Sequence, residues 1–207
     1  SSVARPGALT TLGEAHLAAG RTDDGISLIG QAVQLARYPD NSLSLILGLA
    51  DLAWFAMDRN DWSSAPESVS RAADLVDSSG TTEAIPALFV DVASARLALH
   101  RGDRDRAGST LAHALRCRAV ATYVLPTFAI RLRLRMATVG LALAQADTAD
   151  DLHRECLTIL EHRPDLGALK DAVDDLGRCV ASAAEFRRSG PTLSAAELRL
   201  LPYLQTH

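Results

Sequence analysis

The chain has 207 residues, 48% of them hydrophobic and only 4% aromatic, with a formal net charge of −4. That composition is sufficient for a continuous core, and the negative balance argues against generic attraction to nucleic acid or to an anionic membrane surface. Alanine and leucine outweigh the β-branched and aromatic residues of strands, so the expected class is all-α.

Apolar spacing predicts a first helix over Ala8 to Ala19, where Leu9, Leu12, His16 and Ala19 step by three or four. Gly20 marks a turn, and a second helix over Asp24 to Arg37 follows, with Thr22 or Asp23 placed to accept a bond from its free N–H groups. Tyr38-Pro39-Asp40-Asn41-Ser42 interrupts the chain, and Ser42 reads as the cap of a helix over Leu43 to Asp58. Ser64-Ala65-Pro66-Glu67 places proline in a first turn and glutamate three residues after serine, the pattern of a capping box that opens Ala65 to Asp77. Ser78-Ser79-Gly80 ends that pair. Thr82 is the expected cap of the next helix, which contains Pro86 early and runs to His100; Arg101-Gly102-Asp103 turns the chain into Arg104 to Arg118. Pro126-Thr127 opens Phe128 to Ala146, then Ala149 to His162 follows, and Pro164 ends the pair. Phe128 to Met136 alternates apolar and charged residues as a strand does. Asp165 to Arg187 is a last long helix with no evident partner, and Arg187-Arg188-Ser189-Gly190-Pro191 reads as a linker.

These elements repeat. Gly13, Gly20, Gly25, Ile29 and Ala32 share their offsets with Ala53, Asn60, Ala65, Val69 and Ala72, and with Ala95, Gly102, Ala107, Leu111 and Ala114. Gly140, Asp147, Leu152, Cys156 and Ile159 read as a fourth copy, the copies starting 40, 42 and 45 residues apart. The register assigns Phe128 to Met136 to a helix despite its alternation. Paired helices at such a period describe a helical solenoid, an architecture used for binding more than for catalysis.

The small residues at Gly13, Ala53 and Ala95, the turns at Gly20, Asn60 and Gly102, and the small-apolar-small sets resemble the tetratricopeptide repeat. The copies exceed its usual ~34 residues, and most of its aromatic and proline positions are replaced, Pro164 excepted. Long, divergent copies of this kind are similar to the sensor region of MalT-like, LuxR-type bacterial transcription regulators. The last segment carries the resemblance most sharply: Leu193-Ser194-Ala195-Ala196-Glu197-Leu198 matches the Leu-Ser/Thr-x-x-Glu-Leu start of the LuxR-type helix-turn-helix domain.

The resemblance implies a right-handed superhelical solenoid of antiparallel helix pairs over residues 1–188, about four pairs plus a closing helix. Residues 189–207 are then a linker and a truncated first helix of the helix-turn-helix domain. It also implies a non-enzymatic regulatory role, in which a protein or small-molecule inducer binds the inner surface formed by the first helices of the pairs and controls an attached DNA-binding domain. DNA is met only through helix-turn-helix elements beyond His207. A stand-alone helical-repeat scaffold for protein–protein interaction is the alternative, and a homodimer is compatible with both.

Cys117, Cys156 and Cys179 are odd in number and lack C-x-x-C spacing, which fits a reducing cytoplasm better than a disulfide framework. No run approaches the ~18 apolar residues of a membrane span, and Leu43 to Met57 is broken by Asp51. The chain opens at Ser1 without a signal-peptide pattern, which reads as a piece of a larger protein. No phosphate-cradling G-x-x-x-x-G-K-[ST] and no G-x-S-x-G elbow is present, so catalytic, cofactor and metal residues are all assigned as none. His153 and Cys156, with His162 nearby, have metal-ligand spacing, but Cys156 falls at the position of Ile29, Val69 and Leu111 and is assigned to the core. Asp23-Asp24 and Asp150-Asp151 open helices, where carboxylates favour the macrodipole.

Four residues remain as candidates for partner binding: Trp54, Trp62, Arg131 and Arg135. Arg131, Arg133 and Arg135 form the densest basic cluster with Arg116 and Arg118; at helical spacing Arg131 and Arg135 share a face while Arg133 points ~160° away. Solvated helix surface is the expected setting for these arginines. Trp54 and Trp62, with Phe55, Phe89 and Tyr123, are aromatic anchors if they face a groove, and packing residues otherwise.

Overall fold

A computed structural model describes residues 4–36 and 42–189. Every regular element among them is helical: α1 (Ala4–Ala18), α2 (Thr22–Leu35), α3 (Ser42–Asp58), α4 (Ala65–Ser79), α5 (Ile85–His100), α6 (Arg104–Cys117), a 3-10 turn (Arg118–Val120), α7 (Pro126–Ala142), α8 (Ala146–His162) and α9 (Ala168–Ser189). The strand-like run from Phe128 to Met136 lies within α7. Residues 37–41, and residues 190–207 with the Gly190-Pro191 linker and the helix-turn-helix-like motif, lie outside the described residues.

Four helix ends share one hydrogen-bonded turn. Gly20, Asn60, Gly102 and Ala144 adopt positive φ angles of 76°, 59°, 79° and 64°. After each of them the next N–H reaches back five residues: Arg21 to the His16 carbonyl, Asp61 to Ala56 and Asp103 to Ala98 at 2.9 Å, and Gln145 to Gly140 at 2.8 Å. A left-handed residue with this backward bond satisfies carbonyls that the helix end would leave bare. The third interval is therefore 42 residues, from Gly102 to Ala144, and the fourth copy begins at Ala137 instead of Gly140. Cys156 accordingly stands where Ala32, Ala72 and Ala114 stand, not where Ile29, Val69 and Leu111 do. Glycine and asparagine announce a left-handed turn; alanine does not, because its Cβ disfavours that conformation.

The helix starts use devices other than those expected. Neither Thr22 nor Asp23 caps α2; Asp23 instead pairs with Arg59. Ser64 and Glu67 form no capping box, since the Ser64 hydroxyl donates 2.6 Å to Asp61 Oδ2 and makes no cap bond to α4. Hydrogen bonds from Ser63 and Ser64 hold the Asp61 carboxyl down to about 2. Helix α5 starts after Ala84, so Thr82 is not its cap, although Pro86 stands in the first turn as expected. Asp103 is a true cap, accepting 3.0 Å from the Arg106 N–H. Asp103→Ala is expected to cost about 1 kcal/mol in urea unfolding, and an unchanged midpoint would mean that water caps α6 equally well.

Two rows of helices follow from the apolar pattern. In α2, α4, α6 and α8 a single stripe is buried, for example Ala65, Val69, Ala72 and Val76. In α3, α5 and α7 burial continues around most of the circumference. The even helices are therefore outer elements and α3, α5 and α7 an inner row, with each odd helix packed chiefly on the even one that follows. Small residues permit the closest approach: a Cβ added to Gly25 would lie 2.9 Å from the Gly13 carbonyl oxygen.

The row does not stay open. Helix α9, expected without a partner, packs on α7 and α8 and also reaches α1. At this seam Gly167, with φ 54°, comes so close to α1 that an added Cβ would fall 2.6 Å from the Ala18 carbonyl oxygen. Gly167→Ala combines a strained backbone with a clash against main chain, and a loss of about 1–3 kcal/mol is expected in thermal unfolding. Gly108→Ala, where an added Cβ meets nothing within 4 Å, is the control and should not destabilise.

Candidate functional site

Helix α7 lies between α5 on one side and α8 and α9 on the other, so its three alternating arginines cannot all reach water. Arg131, Arg133 and Arg135 are 6%, 7% and 5% exposed, which overturns the expectation of solvated helix surface. Their expected separation into two faces holds. Arg133 Nε donates 2.7 Å to Glu155 Oε2 on α8, and its Nη1 donates to the carbonyls of Ala121 and Ala129 at 2.9 and 3.1 Å. Arg118 completes that tie by donating 2.8 Å to Glu155 Oε1. Against the upward pull of burial, hydrogen bonds from Arg118 and Arg133 hold the Glu155 carboxyl below its ordinary value.

The other face carries a buried charge cluster. Arg131 Nη1 pairs with Glu14 on α1, and its Nη2 donates 2.5 Å to Asp51 Oδ1 on α3. Arg135 Nη1 pairs with the same oxygen at 2.7 Å, though off ideal hydrogen-bond geometry, and the Glu14 and Asp51 carboxyls share a hydrogen bond that raises the first and lowers the second. The counter-charges sit 117 and 80 residues from Arg131 in sequence, so the spacing within α7 does not disclose them.

Burial dominates the electrostatics. It lifts the Glu14 carboxyl to about 7, more than the Arg131 charge can offset. Asp51 feels burial too, yet Arg131 and Arg135 together hold it below its ordinary value. Burial lowers Arg135 to about 10, whereas for Arg131 the attraction of Asp51 and Glu14 outweighs burial and raises it.

Aromatic rings surround the guanidinium groups. Arg135 stands 4.9 Å from the ring centres of Trp54 and Phe89 and 5.5 Å from that of Phe55. Arg96 stands 4.5 Å from the Trp54 ring and 5.7 Å from the Trp62 ring, and donates 2.5 Å to Asp58. Trp62 stacks on His100 with centroids 3.8 Å apart. These contacts alternate cation and ring across α3, α5 and α7, a favourable arrangement in a partly desolvated setting.

The inner surface expected to receive a partner is thus filled where α1, α3 and α7 converge on Arg131. What remains open is a cavity of about 320 Å³ at the seam. Leu17 and Thr22 border it from the first pair, Trp54, Arg131 and Arg135 from the inner row, and Leu169 from α9. A second cavity of about 290 Å³, bordered by Trp62, Arg96 and His100, shares Thr138 with the first. All four sequence candidates therefore line two neighbouring cavities. A cavity of about 610 Å³ between α4, α5 and α6 is a weaker candidate because its ionisable residues Asp74, Arg101, Asp103 and Arg106 are all exposed.

Sequence reasoning missed one constellation. His113 Nδ1 lies 2.8 Å from Asp91 Oδ2, and its Nε2 lies 3.8 Å from Cys117 Sγ, the order carboxylate, imidazole, thiol of a nucleophilic triad. Cys117 is the last residue of α6, however, where the helix dipole opposes a thiolate. It also does not border the cavity of about 330 Å³ that Asp91 and His113 line. The group ties α5 to α6; its only sequence signal is the four-residue step from His113 to Cys117. Cys156 is fully buried and its thiol is pushed up to about 12 by burial, as a core residue requires.

No protein-family model matches the chain, and no curated protein or solved structure matches it.

Proposed function

We propose that this chain is the sensing region of a LuxR-type transcription regulator. In this reading residues 1–188 are a right-handed superhelical array of tetratricopeptide-like pairs without catalytic activity, and residues 189–207 are the linker and first helix of a DNA-binding domain. One observation carries it: Leu193-Ser194-Ala195-Ala196-Glu197-Leu198 follows, after α9 and the linker, on an array of repeated helix pairs. The common left-handed turn at steps of 40, 42 and 42 residues supports the array half of the reading, since it marks a single helix-pair unit used four times.

The seam cavity supplies a coupling route. It is bordered by the first pair and by α9, and α9 is the element from which residues 190–207 continue. An inducer bound there contacts both ends of the array, so its affinity depends on how α9 is seated; by linkage, the seating of α9 depends on the inducer. No helix among the described residues is long and apolar enough to cross a membrane, and the reading places the protein in the cytoplasm with DNA as the parent's second partner.

In a parent that continues past His207, deleting residues 1–188 should preserve DNA binding in a gel shift and abolish its control by inducer. Unchanged regulation after the deletion would refute the proposal. A Glu-Ile-Ala-type helix followed by a Ser-x-x-Thr-Val recognition helix after His207 is the second expected result, and an unrelated continuation counts against it.

A further inference from the structure

The seam cavity has chemistry as well as space. Arg135 borders it with a side chain only 6% exposed, and the one counter-charge at its Nη1 is Asp51 Oδ1, 2.7 Å away, an oxygen already taken by Arg131. A buried guanidinium short of acceptors is costly, and a bound acceptor would remove that cost. Two guanidinium groups, Arg131 and Arg135, face two carboxyls: Asp51, which meets both, and Glu14, which pairs with Arg131 alone. Both guanidinium groups converge on a single Asp51 oxygen, so an incoming carboxylate would give the second of them an acceptor of its own. Around the cavity stand Trp54 and Phe55 and the apolar side chains of Leu17, Leu134 and Leu169. At about 320 Å³ the space falls at the lower end of small-molecule sites, which are mostly apolar with a few convergent polar groups.

We propose that this cavity binds a small organic anion, a carboxylate on an aromatic or branched apolar body, with the carboxylate against Arg135 and Arg131 and the body against Trp54, Phe55 and Leu169. The planar fork of arginine matches a carboxylate in two parallel hydrogen bonds, which a neutral isostere cannot form with charge assistance. This rests on the sensing role proposed above and supplies the chemical class of its inducer.

The probes are phenylacetate and 4-methylpentanoate, with phenylacetamide as the neutral isostere and inorganic phosphate as the anion without a body. Binding to the 207-residue chain is followed by calorimetry and by tryptophan fluorescence, Trp54 and Trp62 being its two tryptophans. At least one carboxylate is expected to saturate in the submillimolar range and to bind about tenfold or more tighter than phenylacetamide or phosphate. Ala172→Phe adds bulk from a half-buried position on the cavity wall without altering the charges, and should abolish binding while the thermal midpoint is kept. Arg135→Gln should erase the preference for carboxylate over amide; should that variant not fold, Ala172→Phe still decides. Equal affinity for phenylacetate and phenylacetamide, no saturation by either carboxylate up to about 10 mM, or undiminished binding by Ala172→Phe overturns the proposal. Such a failure removes the ligand class alone, whereas the deletion experiment on the parent tests the regulator reading without any of these probes.

Discussion

Asp51→Ala is expected to lower the unfolding free energy by about 3–5 kcal/mol, a fall of roughly 10–15 °C in thermal midpoint for a chain of this size. Asp51 is fully buried, and its Oδ1 meets both Arg131 and Arg135. Without it two buried cations would share Glu14, whose own ionisation burial already opposes. Asp51→Asn keeps the shape and loses the charge, so it should cost nearly as much. The triple replacement Asp51→Leu, Arg131→Met and Arg135→Met should recover most of the loss, since apolar residues of similar volume often replace a buried ion cluster without penalty. Comparing the single, double and triple variants by urea unfolding gives the coupling directly. A loss below about 1 kcal/mol for Asp51→Ala would show that water reaches the cluster and screens it.

The second large effect appears as a pH profile. Glu14 titrates near 7 in the folded state against an ordinary 4.5, so between those values the folded chain retains a proton that the unfolded chain has released. Stability from this group is full below 4.5 and is lost as pH rises through 7, by about 3 kcal/mol in all. Asp51 works in the opposite sense: its folded value is lowered from 3.8, so its contribution is present above that value and disappears on further acidification. Glu14→Gln should flatten the decline between pH 5 and pH 8, bringing the variant level with or above the parent chain at pH 8. An unchanged slope in urea midpoints across that range would assign the decline to other groups.

Helix existence and pairing were legible because Gly20, Asn60 and Gly102 mark turns that few other residues accept, and because the outer helices carry a narrow apolar stripe. The fourth register was not, because Ala144 adopts the same turn against its own preference. Arg131 and Arg135 were correctly placed on one face of a helix, yet not inside the protein. Whether a helix is central depends on which distant elements close over it, and α1 and α3 do so here through Glu14 and Asp51. A signal did exist. Asp51 in the apolar run from Leu43 to Met57 read only as a reason against a membrane span, but a carboxylate in such a helix also demands a buried cation. Two arginines four residues apart in α7, whose uncharged positions are mostly apolar, are its counterpart. Trp54 could be ranked as anchor or packing residue only once Arg96 and Arg135 were found against its ring.

The contact between α1 and α9 changes the statistics of unfolding. In a linear array each terminal unit is held by one interface, so the ends fray first and melting spreads inward. Joining the first unit to the last makes the chain of interfaces cyclic: each unit has a neighbour on both sides, and none can leave at the cost of a single boundary. A contact made where Gly167 meets Ala18 is thereby felt by every pair, and the transition is expected to sharpen toward all-or-none melting. A small anion lodged beside that junction would raise the stability of the whole ring and not merely of the two helices it touches.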